Sequence, residues 1–168
     1  MFYLNPHIYL AQLCAEAYTI SNRMPGFAWF KFNNIIVISG TDHWSDWVDN
    51  FNFYPFTARG FHKTYLKYAS EIISSLDPDI QYTFTGHSAG GQIAEICAIA
   101  TDGNSITFGS PVFYSRVGFT KNFSSYRYVL KFDPVARIRY SVYSDPLANT
   151  IVLPGFGHHI NKYIQALK

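Results

Sequence analysis

The sequence carries little charge. Only 14% of its 168 residues are Asp, Glu, Lys or Arg, against roughly 25% in ordinary soluble domains. It lacks the basic runs with which nucleic-acid-binding chains neutralise phosphates, and a net charge of +2 calls for no anionic partner. No nucleic-acid partner is therefore expected. No apolar run reaches the about 18 residues that a membrane-spanning helix needs. Residues 1–7 show no basic segment leading into a long apolar one, so no secretory signal is visible and a cytoplasmic location is the default expectation. Cysteine is scarce: Cys14 and Cys97 both fall on apolar faces of predicted helices, without metal-ligand spacing. Two buried thiols are expected rather than a disulfide, with no metal and no cofactor. With no internal repeat, low-complexity tract or linker either, residues 1–168 read as one domain.

Apolar residues make up 48% of the chain and aromatic ones 18%, enough to bury a sizeable core and to leave aromatic surface over. The most informative stretch is Tyr82-Thr83-Phe84-Thr85-Gly86-His87-Ser88-Ala89-Gly90-Gly91. A β-rich run over 80–85 meets Gly-x-Ser-x-Gly, and Ile93, Ile96, Cys97 and Ala100 follow on one helical face. Strand, sharp turn and helix are the context of a nucleophile elbow. The turn holds the serine in a strained conformation and brings neighbouring chains close, so small residues are expected at 86, 89 and 90. The helix start aims backbone N–H groups at the place where an oxyanion would form.

Helices and strands alternate around this stretch. Asn5-Pro6 starts a helix with Leu10, Leu13, Cys14 and Ala17 on one face, ending before Met24-Pro25-Gly26. Residues 27–32 and 35–39 read as a hairpin about Asn33-Asn34, and the all-apolar Ile35-Ile36-Val37-Ile38 is the pattern of a strand covered on both faces. Trp44, Trp47, Val48 and Phe51 share a helical face: either a surface helix packed on the core or an aromatic flap beside an apolar pocket. A helix is predicted over 61–76, with Tyr65, Ala69, Ile72, Ile73 and Leu76 inward, then strands over 105–108, 126–132 and 150–153. Gly155-Phe156-Gly157 reads as a turn before His158-His159, and a last helix places Ile160, Tyr163, Ile164 and Leu167 on one face. The expectation is an α/β fold, its sheet parallel at the centre and its functional groups at the strand C-terminal ends.

A serine nucleophile needs a base, and the base a carboxylate to fix its tautomer. In an elbow-bearing α/β sheet the chain order is Ser, then Asp or Glu, then His. Ser88, Asp133 and His158 satisfy it, each at a strand end or in the loop beyond one. Asp145 and Asp77 compete with Asp133, and His159 competes with its neighbour His158. Two N–H donors would hold the oxyanion: Ala89, directly after the serine, and Thr41 in the loop after an earlier strand.

The motifs taken together resemble the class 3 (fungal-type) lipases of the α/β-hydrolase superfamily. Gly40-Thr41 with Asp46-Trp47 is similar to the family's Gly-Thr…Asp-Trp signature, and residues 62–66 to its His-x-Gly-Phe-Leu. Residues 86–91 match its elbow, Thr107-Phe108-Gly109-Ser110-Pro111 its Thr-Phe-Gly-x-Pro, and Asp133-Pro134-Val135 its Asp-Pro-Val. His158-x-Ile160-x-x-Tyr163 resembles its terminal histidine motif. The resemblance implies a minimal α/β-hydrolase fold and hydrolysis of lipid esters, with Ser88, Asp133 and His158 as triad and Thr41 and Ala89 as oxyanion hole. It also implies that residues 42–56 form a lid whose Trp44, Trp47, Val48 and Phe51 meet the substrate. The partners it implies are a lipid or small ester and a transient lipid-surface contact. Ser39 stands where the family has Arg, and Thr64 where it has Gly; a chain shorter than typical members implies a small or open acyl pocket. Acyl transfer on the same triad and a non-catalytic lipid- or ester-binding domain are the alternatives.

Overall fold

A computed structural model describes residues 6–21, 27–40, 63–112, 124–137 and 149–168. In chain order the elements are α1 (Pro6–Ser21), β1 (Trp29–Phe32), β2 (Ile35–Ile38), α2 (Lys63–Ser74), β3 (Thr83–His87), α3 (Ala89–Thr101), β4 (Asn104–Phe108), β5 (Ser125–Phe132), β6 (Asn149–Phe156) and α4 (Ile160–Ala166). The six strands form one sheet in sequential order. Only β1 runs against its neighbour; β2 through β6 pair in parallel. Their C-terminal ends therefore share one rim of the sheet.

The apolar run of β2 is buried on both sides, as its composition demands. Ile36 and Ile38 enter a core with Tyr65, Ala69 and Ile72 of α2 and Ile93 and Cys97 of α3, while Val37 enters another with α1, Phe108, Leu130 and Tyr163. Helices thus cover both faces of the sheet. Cys14 and Cys97 are buried free thiols, one in each core. Among the described residues no helix is long and apolar enough to cross a membrane.

Three expectations are corrected. The serine-bearing strand begins at Thr83, not Ile80, because Asp77 closes a turn with Ile80 N–H on its carbonyl and Asp79 N–H on its side chain. The helix after Ser88 is not amphipathic: residues 89–98 are all buried, Gln92 and Glu95 included. Residues 155–157 are not simply a turn. β6 continues through Pro154 and Gly155 to Phe156, and as the last of the described strands in the sheet it can carry a proline that a central strand would exclude. A register irregularity between Leu130 and Phe132 and a φ of 141° at Gly155 absorb the change of path. Thr41, Trp44, Trp47, Val48 and Phe51 lie outside the described residues.

Candidate active site

β3 ends at His87 and α3 begins at Ala89, leaving Ser88 alone at the corner. Its backbone sits at φ 58°, ψ −128°, a region a side-chain-bearing residue occupies only when its surroundings force it. The force comes from close packing. A Cβ at Gly90 would lie 2.4 Å from the Ser39 carbonyl oxygen, and one at Gly86 would lie 2.4 Å from the Gly90 backbone. Neither position admits even a methyl group, while Ala89 is accommodated and buried. At the start of α3 the Ser88 hydroxyl makes no capping bond to the helix. It is held instead by His158.

The Ser88 Oγ–H donates to His158 Nε2 at 2.8 Å. On the far side of the ring, His158 Nδ1–H donates to Asp133, 2.8 Å from Oδ2 and 3.0 Å from Oδ1. Asp133 is fully enclosed and follows β5; His158 follows β6 with 18% of its side chain exposed. Geometry separates the two adjacent histidines. His159 turns away to cap α4, its Nδ1 accepting from Asn161 N–H at 3.3 Å.

Burial by itself raises the Asp133 carboxyl, but hydrogen bonds and charge outweigh it and hold the group below its ordinary value. His158 contributes most of that lowering, then the Tyr163 hydroxyl, then the Ala136 N–H. Val135 N–H and Ala136 N–H reach Oδ1 at 2.8 and 3.1 Å, so the Asp-Pro-Val turn wraps its own carboxylate. The Tyr163 hydroxyl donates to Oδ2 and accepts from Leu130 N–H at 3.3 Å. Its burial, and then the Asp133 charge, push its own ionisation far upward, so it stays a donor. Gly109, at φ 62°, makes room for this convergence: a Cβ there would lie 2.9 Å from the Tyr163 hydroxyl and 3.1 Å from both Asp133 Oδ2 and His158 Cε1.

His87 has a place that the sequence did not reveal. Its Nε2–H donates to the His158 backbone carbonyl at 2.6 Å, and its Nδ1 accepts from the Tyr18 hydroxyl at 2.5 Å. The two histidine rings lie 4.6 Å apart at 33°. Burial first, and then the proximity of His158, hold His87 well below its ordinary value, so it is neutral. Gly40 admits this contact, since a Cβ there would lie 2.3 Å from the Tyr18 oxygen. It would also lie 3.2 Å from Ser88 Cβ, so the chain approaching residue 41 passes directly beside the serine.

Arg127 and Ser39 brace the same region. Arg127 donates through Nε to the Ser110 carbonyl at 2.6 Å and through its guanidinium to the Ala136 carbonyl, tying the Asp133 turn to the Gly109 loop. Ser39 accepts from Ala28 N–H at 2.9 Å and so fastens the hairpin where an Arg was expected by resemblance. No simple sequence signal marks Tyr18 or Arg127. Tyr163 carried one: a tyrosine on an apolar helix face needs a partner for its hydroxyl.

A serine hydroxyl bonded to an imidazole, itself bonded to a buried carboxylate, is the arrangement that activates serine as a nucleophile. Among the described residues no group of three or more His, Cys, Asp or Glu side chains could hold a metal ion.

Comparison with known proteins agrees with this architecture. The native lipase–propeptide complex of Rhizomucor miehei superposes with a TM-score of 0.69 and 17% identity, over 90% of this chain and 68% of that one. The triacylglycerol lipase of Penicillium expansum gives 0.62 and 15%, over 90% and 80%. The Lip2 lipase of Yarrowia lipolytica gives 0.60 and 15%, over 90% and 79%. At these identities the likeness establishes the fold, an α/β-hydrolase sheet with flanking helices. A comparison with curated proteins gives no match. The family model for lipase (class 3) matches residues 35–143, more than half the chain and including both Ser88 and Asp133. The chain belongs to the class 3 lipase family, a family of carboxylic ester hydrolases.

Proposed function

We propose that the protein hydrolyses carboxylic esters of lipids through an acyl-enzyme on Ser88, with His158 as general base and acid and Asp133 as the carboxylate that orients it. The observation that carries this reading is the continuous relay from Ser88 Oγ through His158 to Asp133, mounted on a strained elbow. Ser88 Oγ attacks the ester carbonyl as His158 Nε2 takes its proton; Asp133, ionised and enclosed, stabilises the imidazolium that results. The tetrahedral oxyanion is received by the Ala89 N–H, one of the first-turn donors of α3 that have no acceptor within the helix. The second donor in this reading is Thr41, which follows Gly40 in sequence. His158 then returns the proton to the leaving alcohol, and water repeats the sequence to release the acid. Trp44, Trp47, Val48 and Phe51 belong in this reading to the acyl side of the cleft.

One structural neighbour, that of Penicillium expansum, is a triacylglycerol lipase, and a lipid ester is the substrate class we assign here. A fluorophosphonate probe should label Ser88 and no other residue, and the same preparation should release p-nitrophenol from p-nitrophenyl esters of graded chain length. Ser88→Ala should lose both signals while keeping the wild-type melting profile. Full turnover in purified, folded Ser88→Ala protein would overturn the assignment.

A further inference from the structure

The two strands that deliver Asp133 and His158 end in an exposed aromatic pair. Phe132 and Phe156 are register partners across β5 and β6, 53% and 76% exposed. Val152, farther back on β6, is 61% exposed. Cations flank the aromatics: Lys131 Nζ lies 5.4 Å and Arg137 Cζ 6.0 Å from the Phe132 ring centroid, both side chains being exposed. The Arg137 guanidinium also donates to the Lys131 carbonyl, which keeps the two charges together.

Acidic side chains are scarce in these segments. In the described segments 124–137 and 149–168 the sole carboxylate is Asp133, and it is fully buried. The same bias runs through the sequence: residues 103–168 hold eight Lys or Arg against two Asp, while residues 1–102 hold five against nine Asp or Glu. A net +2 thus conceals a strongly basic C-terminal part. Exposed aromatic side chains beside exposed cations match one kind of surface, an apolar interior beneath anionic headgroups.

We infer that the tips of β5 and β6 dock the protein on an anionic lipid–water interface, Phe132 and Phe156 entering the acyl boundary and Lys131 and Arg137 meeting headgroup phosphates or carboxylates. The inference rests on the lipid-ester reading above and adds where the lipid surface binds. The patch occupies the same rim of the sheet as Ser88, since β3, β5 and β6 run parallel and all end there. Docking on it brings the nucleophile to the surface that holds the substrate. Its charge selects anionic over zwitterionic membranes.

Vesicle sedimentation with Ser88→Ala protein, which cannot consume the lipid, tests this. Binding should be strong to phosphatidylcholine vesicles containing phosphatidylserine, weak to phosphatidylcholine alone, and should fall as salt is added. In that background Phe156→Ser and Lys131→Glu should each weaken binding roughly tenfold, by loss of buried apolar surface and of headgroup attraction. In the Ser88-containing protein, both should leave turnover of soluble p-nitrophenyl acetate unchanged. Equal binding to neutral and anionic vesicles would overturn the inference, as would binding undiminished by both substitutions. So would a dimer, seen by sedimentation velocity, that Phe156→Ser abolishes: the patch would then belong to a second copy of the chain. Failure of the fluorophosphonate to label wild-type protein that still binds vesicles would sink the hydrolase and leave the surface. Labelling without vesicle binding would do the reverse.

Discussion

Glu95 lies in the middle of α3, enclosed on every side, where an amphipathic helix would have turned a glutamate to water. Thr107 Oγ1 donates to its Oε1 at 3.0 Å, while Oε2 has no hydrogen-bond partner among the described residues. Burial pushes its carboxyl from 4.5 up to about 7, against the opposing pull of the Arg127 charge and the Thr107 hydrogen bond. The folded protein therefore binds this proton more tightly than the unfolded chain does. The resulting stabilisation is full below pH 4.5 and is lost as pH rises through 7. A difference of that size corresponds to about 3 kcal/mol between the two limits, a large part of the stability of a typical domain. Glu95→Gln keeps the shape and the acceptor for Thr107 but never ionises. Urea unfolding of both proteins from pH 4.5 to 9 should show near-equal stability at the acid end. A gap in favour of the variant should then open through pH 7 and level off at about 3 kcal/mol. A gap that stays constant over the whole range, or a variant less stable at pH 8, would refute the burial argument.

Asp133→Asn should lower turnover by around four orders of magnitude, the effect of presenting the base in the wrong tautomer; Asp145→Asn should be mild, and steady-state kinetics on one soluble ester ranks them. His87→Phe keeps a ring beneath His158 but removes the donor to its carbonyl and the acceptor of the Tyr18 hydroxyl bond. A displacement of the base by about 1 Å would lower kcat some hundredfold with KM nearly unchanged, and His87→Gln, which can still donate, should recover part of it. Wild-type kcat in folded His87→Phe protein would remove His87 from the positioning of the base.

Much of the fold was legible because its signals are local. The all-apolar β2, the Asn33-Asn34 hairpin and the proline start of α1 each follow from a few adjacent residues, and the structure has them where those residues are. The placement of Ser88, Asp133 and His158 at or just beyond strand ends was legible too, since strands and loops alternate plainly enough to locate them. What escaped depends on distant partners. The burial of Gln92 and Glu95 follows from what packs over α3, which helical periodicity cannot report. Tyr18 meets His87 across 69 positions of sequence, and Arg127 reaches Ser110 and Ala136 from the next strands and turns. β6 outran its expectation because Pro154 and Gly155 read as strand breakers, while the last of the described strands tolerates both.

The residues behind the relay share one relation to it. Ser88, His158 and Asp133 come from three different strand ends, and two hydrogen bonds among mobile side chains would not by themselves keep three loops in register. Each is held from behind by another group: Ser88 by the backbone crowding of Gly86, Gly90 and Ser39, His158 by the neutral His87 on its carbonyl, and Asp133 by Tyr163 and by the turn that Arg127 secures. Two side chains that support the relay, His87 and Tyr163, are both kept uncharged by burial. Their neutrality matters. In the proposed mechanism a protonated His87 would oppose the positive charge that His158 acquires, and an ionised Tyr163 would repel Asp133 and stop donating to it. Burial thus fixes the positions of the supporting groups and their protonation states together, so a polar shell this dense works only where solvent is excluded from it.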